Sequence, residues 1–160
     1  IVGLVPELGW RVWSGPSWHY PASTLPALEA VHSLKDGTVG GLIDSDRLDS
    51  AIRRAWYTDG RCITMASVLE EIAAEVPRLD MQRLSSARET GSSRSAVFAD
   101  WREAETGTVQ GSPHFFGPGG QQLHNPGVTY HWTKSPDDGG VPRFERYDES
   151  WVDEVLQWTV

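Results

Sequence analysis

The side chains able to do covalent or acid–base chemistry are few and scattered. Cys62 is the single cysteine, so no disulfide can close within the chain, and a disulfide-stapled secreted domain is excluded. It stands just before a stretch that reads as a helix, where a helix dipole favours thiolate. With no cysteine near it, a structural or surface thiol is the favoured reading. The five histidines are His19, His32, His114, His124 and His131. They form neither H-E-x-x-H nor Cys/His zinc spacing, so no metal site is expected. His114, His124 and His131 fall near one hairpin. His114 follows a proline turn and could tune a nearby thiol or bind substrate, although plain strand packing is the favoured reading. Glu70, Glu71 and Glu75 read as the solvated face of a helix. Gly117 to Gly120 lacks a phosphate-loop pattern, and Ser14-Gly15-Pro16-Ser17 lacks the G-x-S-x-G elbow. No cofactor is expected. The segment Gly111-Ser112-Pro113-His114 stands out as a turn leading directly into Phe115-Phe116.

Charge narrows the partners. The chain has 160 residues, with 14 Lys+Arg against 22 Asp+Glu and a formal net charge of −8. That balance repels phosphate backbones and argues against nucleic acid or an anionic membrane surface. The 39% hydrophobic and 22% charged content fits an ordinary globular domain with a core of its own. Apolar runs such as Ile1 to Val5 fall far below the roughly 20 residues of a membrane span. Sparse cysteine leans towards a reducing compartment, so the expected location is cytoplasmic.

The elements that must position these residues are read from periodicity. Ile1 to Val5 reads as a buried strand ending at Pro6. Residues 9 to 21 carry Trp10, Trp13, Trp18 and Tyr20 in loop chemistry. Helices are expected over 22–34, from Asp44 or Ser45 until Asp59-Gly60 stops it, after Thr64 to Pro77, over 80–90, and from Ser92 or Ser93. Apolar stripes place Trp56, Trp101, Trp151 and Trp158 in the core. Beyond Gly107 a strand at Phe115 is expected, then a hairpin turn at Pro118-Gly119-Gly120 and a second strand within 127–133. A polar loop follows over 136–140, and a last helix over 149–158. Helices in the middle and strands at both ends suggest helices inserted into an α/β domain.

Several stretches carry a family resemblance. "AWYTDGRCITMASVLEEIAAEVPRLD" resembles the insert helices of the DsbA-like family, and "SAVFADWREAETGTVQGSPHFF" resembles that family's long helix running into its V-x-G-[ST]-P loop. "LHNPGV" is similar to the hairpin return strand of a cytosolic-type branch, and "HYPASTLPALEAV" to its S-x-Y-P-A helix start. The likeness runs from about Trp13 to Trp158. It implies an α/β fold, a thioredoxin-like sheet with an all-helical insertion domain. Residues 1–8 would form a thioredoxin-fold strand, 9–90 the helical insertion, and 91–160 the C-terminal thioredoxin-fold half.

The resemblance also implies thiol–disulfide oxidoreductase activity. The peptide joining Ser112 and Pro113 would be cis, and Gly111, Ser112, Pro113 and His114 would hold the substrate, together with Trp18 and Tyr20; by their place in the early loop, Trp10, Trp13 and Trp18 either wall a groove for extended peptide or pack the insert onto the strand domain. The partner would be a thiol or disulfide protein, or a small thiol such as glutathione; homodimerisation stays open. The departure from the family is the C-x-x-C pair, which is absent from these residues. Either an N-terminal strand and helix bearing it belong upstream of Ile1, or this relative has lost it. The alternatives are a glutathione-dependent isomerase or kappa-type transferase, and a redox-inactive peptide-binding domain.

Overall fold

The computed structural model describes residues 9–35 and 42–158. The expected strand at Ile1 to Val5 lies outside them. The architecture is mixed α/β, with six α-helices and two separate two-stranded antiparallel sheets among the described residues. Contacts divide the chain into two compact units, residues 1–101 and 102–160.

The first unit is helical: α1 (Leu25–Ser33), α2 (Leu42–Tyr57), α3 (Ala66–Glu75), α4 (Met81–Thr90) and most of α5 (Arg94–Glu105). Its core is the meeting of the expected stripes. Leu48, Ile52 and Ala55 of α2 pack with Leu69, Ile72 and Ala73 of α3, Ala27 and Ala30 of α1, and Leu84 of α4. Local chemistry sets the helix ends. α1 starts at Leu25, three residues later than expected. Pro26 sits in its first turn, and the Ser23 hydroxyl accepts the Leu25 N–H at 3.1 Å. α2 starts at Leu42, ahead of the expected Asp44. Asp80 caps α4 by accepting the Arg83 N–H at 2.9 Å. The same helix closes at Gly91, whose φ of 64° lets the Ser92 N–H reach the Ala87 carbonyl. In α5 only Val97 is buried; Trp101 is 56% exposed. The expectation of a core Trp101 is therefore corrected: the helix leaves the first unit at that residue.

The second unit holds β1 (His114–Phe116), β2 (Gln122–His124), β3 (Val128–Trp132), β4 (Pro142–Tyr147) and α6 (Trp151–Leu156). The strand expected within 127–133 forms, but β1 does not pair with it. β1 pairs with β2, and β3 with β4, which the sequence reading left without a strand. Phe115 packs on Trp151 with ring centroids 4.9 Å apart, joining the first hairpin to α6. Trp151 donates its indole N–H to the Tyr147 hydroxyl at 3.1 Å, joining α6 to β4. Among the described residues no helix is long and apolar enough to cross a membrane.

Candidate functional site

The β1–β2 hairpin presents the Gly-Ser-Pro loop. Its register follows from two printed bonds. The Asn125 N–H donates to the Pro113 carbonyl at 2.9 Å, and the Gly117 N–H donates to the Gln121 carbonyl at 2.8 Å. Antiparallel strands alternate bonded and non-bonded pairs. With Phe115 opposite Leu123, the bonded pairs are Pro113/Asn125, Phe115/Leu123 and Gly117/Gln121. His114 and Phe116 therefore turn their N–H and C=O groups away from β2. No strand pairs with β1 on that outer side among the described residues. Ser112 is exposed, and its backbone groups enter no hydrogen bond among the described residues. The Ser112–Pro113 peptide is cis. The result is a short open edge running from Ser112 through His114 to Phe116.

The two faces of this hairpin differ. Phe115 faces α6 through Trp151. On the other face His114 and His124 are register partners with ring centroids 5.4 Å apart, and Phe116 lies 4.2 Å from His114. The Gln110 N–H donates to His114 Nδ1 at 3.2 Å, so the neutral ring carries its proton on Nε2. His124 Nε2 lies 3.2 Å from Asn125 Nδ2. It also presses on the loop: a Cβ at Gly111 would stand 2.6 Å from His124 Nε2. Glycine is thus needed at 111 for the imidazole to reach the loop. From Thr106 to Thr133 there is no Asp, Glu, Lys or Arg, so the loop and its hairpin carry no carboxylate, ammonium or guanidinium charge of their own. In the same unit, the Ser150 backbone N–H and hydroxyl, with Arg146 nearby, hold the Asp148 carboxyl below the usual carboxylate range.

The other sequence-derived candidates lie in the first unit. Trp18, in a short 3-10 turn (Ser17–His19), is 80% exposed. Tyr20 meets Trp13 and Trp56 edge-on, at centroid distances of 5.9 and 5.4 Å, and Trp13 stacks on Trp56 at 5.0 Å. Tyr20 and Trp56 border a cavity of about 320 Å³ between α1 and α2, with Leu28, Val31 and Ile52. Trp10 stacks on Tyr57 at 4.4 Å. Packing thus accounts for Trp10 and Trp13, while Tyr20 also faces open space. Cys62 is half-buried with Sγ 3.4 Å from the Thr64 hydroxyl. No cluster of three or more His, Cys, Asp or Glu suited to a metal occurs among the described residues.

The structure therefore brings Gly111, Ser112, Pro113 and His114 together, and adds His124 and the edge groups of Phe116. The sequence reading placed His124 near the hairpin but gave it no place beside the loop. Its signal was the tight Gly117–Gln121 connection, which sets the register that puts His124 opposite His114. Compared with known proteins, the chain matches no family model, no curated protein and no solved structure.

Proposed function

We propose that this chain is the substrate-docking part of a thiol–disulfide oxidoreductase of the DsbA-like type, with the reacting cysteine pair carried outside these residues and a thioredoxin-like sheet completed there. The observation that supports this reading is the open edge of β1. An extended peptide can add to Ser112, His114 and Phe116 as a further strand, through backbone bonds that are indifferent to its sequence. A disulfide in that peptide would then be attacked by a thiolate. The sulfur–sulfur bond breaks, a mixed disulfide forms, and the second thiol resolves it, leaving the substrate reduced and the cysteine pair oxidised. Polypeptide suits the edge better than glutathione does. The two carboxylates of glutathione would find no Lys or Arg between Thr106 and Thr133.

Phe116→Pro tests the reading. It removes an N–H that no described residue uses, so the hairpin keeps its internal bonds. Binding of a fluorescent, extended cysteine-containing peptide, followed by anisotropy, should weaken about tenfold, the loss of one backbone hydrogen bond with the steric block of a proline ring. Unchanged affinity in a variant with a native circular dichroism spectrum would overturn the proposal.

A further inference from the structure

We infer that the cavity lined by α1, α3 and α4 is a binding site for an uncharged, mainly apolar small molecule carrying one hydrogen-bonding group. The cavity measures about 780 Å³, the size of a pocket that holds a drug-sized ligand. Its walls come from residues between Pro26 and Arg94, all inside the first unit, so its shape belongs to that unit alone. Small side chains make the space. Ala30 of α1, Ala66 and Ala74 of α3 and Ala87 of α4 line it, where longer side chains would close the gap between the helices. Leu69 and Leu84 supply an apolar floor and are themselves part of the packed core.

Charge and one hydroxyl select the occupant. The charged residues of the lining are Glu29, Glu70, Glu71, Arg88 and Arg94. Each is already in an ion pair: Arg94 Nε lies 2.5 Å from Glu29, Arg88 pairs with Glu70, and Arg61 reaches Glu71 at 3.0 Å. No charge is left over for a ligand. A charged occupant would have to break a pair or leave its own charge unanswered against apolar walls. Ser93 supplies the polar contact. It lines the cavity, is only 9% exposed, and its hydroxyl meets no hydrogen-bond partner among the described residues. Ser33, also buried and also in the lining, differs: its hydroxyl donates to the Ala30 carbonyl at 2.6 Å. A buried hydroxyl without a partner is costly. A ligand hydroxyl, N–H or carbonyl facing Ser93 supplies the missing bond.

Fluorescence titration of the 160-residue chain with N-phenylnaphthylamine, an uncharged ring system with one N–H, tests this. Saturation at one probe per chain is expected. Anilinonaphthalene sulfonate, the same rings bearing a negative charge, should bind at least tenfold more weakly. Ser93→Ala should weaken the uncharged probe about threefold to tenfold, the worth of one hydrogen bond. No saturable binding, equal or tighter binding of the sulfonate, or unchanged affinity in a Ser93→Ala variant with a native circular dichroism spectrum would overturn the inference. The unaltered chain gives a reading free of any folding defect. Its two methionines are Met65 and Met81. Both are exposed, and only Met81 lines the cavity. Peroxide oxidation followed by mass spectrometry should slow at Met81 under saturating N-phenylnaphthylamine and stay unchanged at Met65. An unaltered rate at Met81, or equal slowing at both, would overturn it.

Discussion

Gly127 joins the two hairpins, and its backbone leaves no room for a side chain. Its φ is +74°, and a Cβ there would overlap the Asp148 carbonyl oxygen and the Trp151 indole. The Asp148 N–H meanwhile donates to the Gly127 carbonyl at 2.8 Å, holding the two segments in contact. Gly127→Ala must separate them, and a left-handed alanine adds its own cost. A loss of about 1–3 kcal/mol is expected, the range of overpacked sites. Urea unfolding followed by tryptophan fluorescence should show it, since Trp151 borders the site. Gly111 makes a different case. The atom its Cβ would strike is the far end of the His124 side chain, which can swing aside. One glycine is held by backbone, the other by an imidazole.

At the scale of elements, the helices were legible because their stripes are long and regular. Leu48, Ile52 and Ala55 repeat at the helical period and are all buried. Leu48 has no exposed surface and joins α2 to the packed centre. Leu48→Ala should cost about 2–5 kcal/mol, the range for a large-to-small core change. A drop of under 1 kcal/mol in chemical denaturation would show that the helical unit is not the cooperative core described. Strands were less legible, for identifiable reasons. β2 has three residues, too few to show a period. β4 alternates through Pro142 and Phe144 until the extra residue at Glu145 shifts the aromatic position to Tyr147, which breaks the period of two. Its leading proline also weakened the signal. Trp101 shows the opposite error: its spacing from Val97 is helical, but a stripe does not say where a helix leaves its core.

For the whole molecule, the sequence changes character after Gly107, while the family resemblance put the end of the helical insertion at residue 90. The boundary falls at Trp101, six residues before that glycine. The candidate site was half legible. Gly111 to His114 stood out as a loop, whereas the open edge depends on which strand pairs with β1, and spacing alone did not give that pairing. Trp18 and Tyr20 were chosen for their aromatic character. Tyr20 is held by Trp13 and Trp56 in the first unit, and Trp18 stands exposed beside it. The account of function rests on the edge. Amide hydrogen exchange of the 160-residue chain, with and without an extended cysteine-containing peptide, tests it most directly. The account predicts new protection at the outward amides of Ser112, His114 and Phe116, with the inward amide of Phe115 unchanged. Equal exchange at all three with saturating peptide, or protection confined to Trp18 and Tyr20, would contradict it.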